Sequence, residues 1–278
     1  MNWKKKLSWA GTILFTIIGL LYIAPILIVL MNSFKKKVYI NAEPFSMPNS
    51  QTFAGWENYV AAIKQYNLIG AVGWTVFITI GSVLVILICT SMTAWYVTRV
   101  ENKFTKMLYL LCVFAQVVPF QMVMFTLSLI ADRTRLNTPW GIIIIYLGFG
   151  AGLAVFMFCG FVKGIPLEIE EAAMIDGCTP IRTFFSVVLP MLKPTYISVG
   201  ILETMWIWND FLLPYLVLDL NKYKTISIII QYMKGSYGRV DMGAIMAALI
   251  MAVIPVIIFY LCCQKHIIKG VAAGAVKG

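Results

Sequence analysis

The sequence predicts an all-α, polytopic membrane protein with six transmembrane helices, and three observations lead to this fold class. Hydrophobic residues make up 60% of the 278 residues, and charged residues make up only 12%, about half of their share in an average soluble domain. The charged residues are absent from five long stretches. Within these stretches the apolar residues are continuous, whereas they alternate in the strands of a membrane barrel. The composition excludes a disordered chain, a nucleic-acid-binding domain and a small secreted disulfide scaffold.

The five uncharged stretches contain 28, 34, 25, 27 and 23 residues in chain order. A helix of about 20 apolar residues crosses a bilayer core about 30 Å thick, so each stretch can span a membrane. A sixth segment, Pro194 to Leu218, is apolar except for Glu203 and Asp210. The predicted spans are residues 10–32, 70–96, 107–130, 141–161, 195–218 and 243–263.

The first span follows three lysines, as a signal peptide does, but its apolar stretch is longer than the usual about 7–15 residues. We therefore expect a retained anchor helix. Six spans place both termini on one side of the membrane. If that side is cytosolic, it holds 12 of the 22 basic residues, a small excess in the direction of the positive-inside rule. The six cysteines lack a CxxC spacing and only one histidine is present, so neither a metal site nor a disulfide framework is expected.

Two connections are longer than the others, the outer segment 33–69 and the segment 162–194. The second one predicts two short helices at the membrane surface. Pro166 suits the first position of a helix, where its missing N–H is harmless. Gly177 is typical of the position just after a helix end. Three glutamates lie in the predicted first turn, where their negative charge interacts favourably with the positive end of the helix dipole. They are Glu168, Glu170 and Glu171.

The second short helix is predicted to begin with Thr179 as its N-cap, and the prolines at 190 and 194 are predicted to end it and to lead into the fifth span. In the first short helix, Ala172 and Ala173 project almost no side chain. A partner protein can therefore approach this helix closely and hold it in a groove. Residue chemistry alone fits a simple interfacial connector equally well.

Seven residues of this segment resemble the EAA loop of ABC importer permeases. In that family the pattern is Glu-Ala-Ala, three residues, Gly, nine residues, Ile, one residue and Leu-Pro. The chain matches the spacing, and its one departure is Val187 at the isoleucine position. The matching residues are Glu171, Ala172, Ala173, Asp176, Gly177, Leu189 and Pro190.

Other short motifs resemble the carbohydrate-uptake branch of these permeases, the MalG-like subunits. They are Leu136–Thr138, Trp208–Phe211 with Pro214, and the terminal Gly274–Gly278. The resemblance implies a single transmembrane permease domain over residues 1–278. Within it, residues 1–69 form the anchor helix and outer loop, residues 70–278 form the permease core, and residues 162–194 form a cytosolic EAA loop. It also suggests that the terminal segment contacts the ATPase pair.

The resemblance further implies partners. They are a second, MalF-like permease, two cytosolic ATPase subunits, an extracytoplasmic solute-binding protein, a carbohydrate and the lipid of the bacterial cytoplasmic membrane. In the family the EAA loop docks into the ATPase, which implies that both termini are cytosolic. The chain has no GxxxxGK[ST] phosphate loop. We therefore expect a transport subunit that is not an enzyme and holds no cofactor, with ATP-Mg bound by the ATPase partners.

Two ionisable residues lie within the predicted spans, Glu203 and Asp210, and such residues are functional candidates. Their spacing of seven predicts one helix face, with Trp206 between them. Carboxylates accept hydrogen bonds from sugar hydroxyls, and an indole face can cover a pyranose ring. We therefore expect these three residues and Asn209 to line a substrate path. Alternatively, a neighbouring helix holds Glu203, and residues 208–210 only anchor the interface.

The third span contains two glutamines, Gln116 and Gln121, on either side of Pro119. The proline is predicted to kink the helix. The glutamines either line the substrate path or form hydrogen bonds to neighbouring helices.

The resulting prediction is an ATP-driven importer subunit that translocates a carbohydrate, in particular an oligosaccharide, by alternating access. The same machine for a glycerol phosphate ester is the main alternative, although the spans contain no lysine or arginine for a phosphate. A membrane-embedded enzyme needs a catalytic constellation within the spans, and a passive channel needs no EAA loop.

Overall fold

The computed structural model describes residues 3–235 and 240–275, and within these ranges it describes the side-chain surroundings of Trp9 and of the residues from Gly11 to Lys265. The described residues are helical, joined by short connections and one isolated β-bridge between Lys35 and Phe53. They form two compact units. One contains the residues up to Ile69 together with Ile229–Pro255, and the other contains Gly70–Ile228 and the residues from Val256 onwards. Of the terminal motif, Val276–Gly278 lie outside the described residues.

The first unit begins with helix α1 (Trp3–Ser33) and continues with α2 (Lys37–Ala42) and α3 (Glu57–Lys64). The outer segment is held by side-chain bonds to backbone carbonyls. Lys35 is fully buried, and its Nζ donates to the Glu43 carbonyl at 2.7 Å. The outer segment is therefore an ordered structure with a polar core of its own.

Four uninterrupted helical segments are long and apolar enough to cross a membrane: Gly11–Ser33, Leu68–Arg99, Pro139–Val162 and Met242–Lys265. They agree with the predicted first, second, fourth and sixth spans. They belong to α1, α4 (Leu68–Arg99), α7 (Pro139–Val162) and α14 (Met242–Ala275). The start of α7 shows why the sequence locates it well. The Thr138 hydroxyl caps it by accepting from the Gly141 N–H at 3.1 Å, and Pro139 fills the first position.

The predicted third span, 107–130, is two helices rather than one kinked helix. Helix α5 (Lys103–Val117) and α6 (Phe120–Arg133) meet at an angle of 104°. A proline disfavours the helical conformation of the residue before it, and both Val118 and Pro119 are extended. Two consecutive extended residues end the helix instead of kinking it.

The predicted fifth span, 195–218, is also interrupted, so the expectation of one continuous helix is wrong. Helix α11 (Lys193–Asn209) ends at an extended Asp210, and α12 (Leu212–Val217) follows. The Asp210 Oδ1 accepts from the N–H groups of Leu212 and Leu213 at 3.0 and 3.4 Å. Aspartate side chains compete with helical hydrogen bonds in this way.

The remaining helices are α8 (Leu167–Ile175), α9 (Pro180–Thr183), a π-helical turn (Phe184–Val188), α10 (Leu189–Met191) and α13 (Ile226–Tyr232). The chain also bends by 78° between Pro180–Met191 and Lys193–Asn209. The described residues therefore contain four uninterrupted spans, and up to six if each of the two bent pairs crosses the membrane once.

Residues 162–194, the predicted EAA loop, contain α8 (Leu167–Ile175) much as the sequence predicts. Gly177 has a φ of +85°, which favours glycine. The N–H groups of Gly177 and Cys178 return to the carbonyls of Met174 and Ala173 at 3.0 Å, which is a Schellman helix end. Pro166 precedes α8 as its N-cap and does not occupy the first helical position as predicted.

The prediction that Pro190 ends the second short helix is wrong. The helix widens into the π-helical turn, where the Leu189 N–H bonds the Phe184 carbonyl, and continues through Pro190. A wider turn accommodates a residue without an N–H inside a helix. The chain turns only at Leu192, one residue before α11 begins.

Candidate functional site

Helices α5, α7 and α11 surround a cavity of about 230 Å³. It brings together three of the six predicted substrate-path residues, Gln116, Glu203 and Trp206. The rest of the lining is apolar or glycine: Ala115, Val118, Phe149, Gly150, Leu153 and Leu202. The cavity lies beside the break between α5 and α6, because Gln116 and Val118 both line it.

Glu203 is the most deeply buried polar group of this cavity, with only 2% of its surface exposed. Its Oε2 atom has no hydrogen-bond partner among the described residues. The helix opposite comes close because it has a glycine there. A Cβ atom at Gly150 would lie 3.0 Å from that oxygen. Buried polar atoms are nearly always paired, so this oxygen is an acceptor available to a donor in the cavity.

Trp206 follows Glu203 by one helical turn and is 40% exposed. Its ring meets the Tyr146 ring edge-on, with the centroids 5.5 Å apart. This contact fixes the plane of the indole beside the Glu203 carboxylate. An acceptor next to a fixed aromatic surface is suited to a ligand with both hydroxyl groups and apolar C–H groups.

Asp210 does not share the helix face of Glu203, because α11 has already ended at Asn209. Its Oδ2 accepts a hydrogen bond from the Tyr146 hydroxyl at 3.0 Å, and its Oδ1 holds the start of α12. Asp210 therefore shapes the break after α11 and does not line the cavity. No local sequence pattern indicates Tyr146, a fully buried tyrosine on α7 that touches both Asp210 and Trp206.

The other two predicted path residues also lie away from the cavity lining. The Asn209 amide donates to the Met205 carbonyl one turn earlier at 2.7 Å. Gln121 is exposed on α6, on the far side of the bend from Gln116.

The predicted coupling residues lie at the surface of the chain. Glu171, Ala172, Asp176, Gly177 and Pro190 are exposed, and Ala173 and Leu189 are half-buried. Large apolar side chains accompany them: Ile175 is 86% exposed and Ile181 is 66% exposed. An exposed apolar surface with acidic residues is typical of a protein–protein contact.

One glutamate of the predicted EAA loop differs from the expectation. Glu170 does not simply face the helix end; it is 1% exposed and forms an ion pair with Arg99 at the end of α4. The Arg99 Nη2 lies 2.7 Å from Glu170 Oε1, and the Trp95 Nε1 donates to Oε2 at 2.8 Å. The two charged partners are 71 residues apart in sequence, so no local pattern indicates the pair.

Residues 86–273 match the family described as binding-protein-dependent transport system inner membrane component. The chain is 39% identical over 267 residues, 96% of each chain, to the probable starch degradation products transport system permease protein AmyC of Thermoanaerobacterium thermosulfurigenes. It is 33% identical, over 95% of each chain, to the multiple sugar-binding transport system permease protein MsmG of Streptococcus mutans.

The fold is also similar to solved structures. A chain of a bacterial ABC transporter involved in the import of the acidic polysaccharide alginate superposes with a TM-score of 0.78. The alignment covers 95% of this chain and 98% of that one, at 18% identity. At this identity the similarity concerns the fold alone. It agrees with the predicted all-α membrane architecture.

Proposed function

We propose that this chain, which belongs to the family of binding-protein-dependent transport system inner membrane components, is the permease subunit of an ABC importer for a carbohydrate, in particular an oligosaccharide. The observation that carries the proposal is the cavity with Glu203 and Trp206, in a chain related over nearly its full length to permeases named for starch degradation products and multiple sugars. The family makes the chain a multi-pass inner-membrane transport subunit.

The chemistry of the cavity favours a neutral, hydroxyl-rich solute. Glu203 provides an unpaired acceptor, the Gln116 amide provides both donors and acceptors, and Trp206 provides an apolar face. None of the described residues that line the cavity is basic. A glycerol phosphate ester carries a charge that lysine or arginine usually pairs, so the cavity does not suit it.

In this proposal, partner subunits supply the energy for transport. Two cytosolic ATPase subunits bind ATP-Mg, and the chain itself has no ATPase site. A second, MalF-like permease completes the membrane path, and an extracytoplasmic binding protein delivers the sugar. The term binding-protein-dependent in the family description supports the last partner. So does a fold relative with a TM-score of 0.66, whose structure contains an alginate pentasaccharide-bound periplasmic protein.

The proposed mechanism is alternating access. Glu171, Ala172, Ala173, Asp176 and Gly177, with Leu189 and Pro190, form the surface that docks into an ATPase. Closure of the ATPases moves α8, and this motion tilts the spans so that the cavity opens outwards. The chain then crosses the membrane six times and has both termini in the cytosol.

Uptake of a radiolabelled oligosaccharide by a strain that lacks this subunit tests the proposal. Restoring the chain is expected to restore uptake, and unlabelled sugar is expected to compete. Uptake is also expected to stop when the ATPase subunit is deleted, which separates an importer from a passive channel. Competition by a glycerol phosphate ester but not by sugars would support the other solute class and overturn the carbohydrate assignment.

A further inference from the structure

We propose that Arg99, Trp95 and Glu170 form a clamp that transmits movement of α8 to α4, and that they are positioning residues for the coupling of ATP hydrolysis to transport. The inference rests on the proposed function in one respect, the docking of α8 into an ATPase. It adds the residues through which that docking reaches the membrane spans.

The first part of the clamp is the arginine at the last position of α4. Its Nε and Nη2 atoms donate to Glu170 Oε1 at 3.0 and 2.7 Å. Nη2 also donates to the Ile165 carbonyl, just before α8, at 2.8 Å. One guanidinium therefore holds the entry of α8 and its first turn together, which a planar fork of donors can do and a lysine cannot.

The second part is Trp95, one turn earlier on the same face of α4. Its indole N–H donates to Glu170 Oε2 at 2.8 Å, so both carboxylate oxygens are bonded. Its ring lies 5.5 Å from that of Phe184 in the π-helical turn. Phe184 is fully buried. The end of α4 thus contacts the EAA loop both before and after α8.

These contacts matter because α8 is short. It has nine residues, and an isolated helix of that length is not stable by itself. The chain between Arg99 and α8 passes through α5, α6 and α7. The clamp is therefore a direct connection from α8 to α4 that does not depend on this long covalent route.

The same helix leads onward to the cavity. The Ser91 and Tyr196 hydroxyls form a hydrogen bond that joins α4 to α11, the helix that carries Glu203. Nearer the start of α4, Ile86 packs close to Gly150 of α7, opposite the Glu203 carboxylate. A Cβ atom at position 150 would lie 2.7 Å from Ile86 Cδ1. A displacement of the α4 end therefore reaches the residues around the cavity through packed and bonded side chains.

The test uses the complete importer in proteoliposomes with its ATPase subunits, permease partner and binding protein. The variant is Glu170→Gln, which keeps the shape but replaces one acceptor oxygen by a donor that faces another donor. The matched control is Glu101→Gln, the same change at an exposed glutamate outside the EAA loop. Co-purified ATPase, ATP hydrolysis and sugar uptake are measured for each preparation.

We expect the ATPase subunits to remain bound in the Glu170→Gln importer and the ratio of sugar transported to ATP hydrolysed to fall about fivefold or more, the lower end of typical coupling between sites. The Arg99→Glu/Glu170→Arg double variant is expected to recover part of this ratio. A merely structural role would reduce the amount of complex without changing the ratio.

An unchanged ratio in Glu170→Gln, or a ratio that falls equally in Glu101→Gln, overturns the clamp. The proposed function is judged separately: in this assay it fails if the unmodified importer hydrolyses ATP without taking up sugar.

Discussion

Two glutamates of this chain are almost equally buried, but their surroundings are opposite. Glu170 in α8 is 1% exposed, and Glu203 in α11 is 2% exposed. Glu170 has hydrogen bonds on both carboxylate oxygens and an arginine as its counter-ion. Glu203 has an oxygen without any partner among the described residues. The difference separates a carboxylate that holds two elements together from an acidic side chain that is available to a ligand.

The cost of burial explains why this difference is informative. An ionised carboxylate loses several kcal/mol of hydration free energy on burial. Only a well-placed partner compensates for that loss. Glu170 recovers this energy within the chain and thereby fixes α8 to α4. Glu203 does not recover it from described residues, so its acceptor is best paired when a solute enters the cavity.

The largest expected effect is on the bonded glutamate. Arg99→Ala leaves the Glu170 carboxylate buried without its cation, and breaking a buried pair from one side costs about 3–5 kcal/mol. We expect the free energy of unfolding in detergent to fall by that amount. Arg182→Ala, at an exposed arginine of the same loop, is the control and should change it by less than about 0.5 kcal/mol. Equal losses in both variants would contradict a special role for the pair.

The same substitution at the two glutamates is expected to change the free energy of unfolding differently. Glu170→Gln should lower the free energy of unfolding by about 1.5–3 kcal/mol, the contribution of a hydrogen bond to a charged group. Glu203→Gln should leave it unchanged or raise it, because an unpaired amide costs less to bury than an unpaired carboxylate. Sugar uptake at subsaturating sugar should nevertheless fall about tenfold in Glu203→Gln, through loss of a charge-assisted hydrogen bond.

Denaturant titration and initial uptake rates measure the two quantities. If Glu203→Gln destabilises the chain as much as Glu170→Gln, or transports sugar normally, then the two glutamates do not differ in the way proposed.

Gly150→Ala sharpens the comparison from the side of the cavity wall. The added methyl group would lie 2.7 Å from Ile86 Cδ1 and 3.0 Å from Glu203 Oε2. Overpacking of this kind costs about 1–3 kcal/mol, and we expect reduced uptake in addition. Gly148→Ala is a matched control on the same helix, where a Cβ would meet no atom within 4 Å. Thermal unfolding and uptake of the two variants should differ clearly, and equal behaviour would exclude a tight approach at position 150.

The parts of the fold that the sequence predicts well depend on local chemistry. Uncharged apolar runs locate four uninterrupted spans, and the predicted helix end at Gly177 is confirmed. The break after α11 was missed because an aspartate in an apolar run is equally compatible with a continuous helix. At the break, Asp210 holds the start of α12 and also accepts a hydrogen bond from Tyr146, 64 residues earlier.

Prediction of the candidate site is limited in the same way, because local sequence does not report contacts with other helices. Residue type alone indicated Glu203, Trp206 and Gln116, because polar groups are rare in a span. It also indicated Asp210, which turned out to be bonded at the end of its helix. Whether a buried acid is bonded or free depends on side chains from other helices, and no pattern within one segment reports them.

Tyr146→Phe gives the smallest expected effect and tests whether Asp210 belongs with the bonded or the unpaired acid. The variant removes the donor to Asp210 Oδ2, while the N–H groups of Leu212 and Leu213 still bond Oδ1. Losing one of several hydrogen bonds should lower the free energy of unfolding by about 0.5–1.5 kcal/mol. The phenyl ring keeps the edge-on contact with Trp206, so uptake should stay within about twofold of the parent, a barrier change of less than about 0.5 kcal/mol. A loss of uptake as large as that of Glu203→Gln would instead place Asp210 in the substrate path, because the two acids would then respond alike.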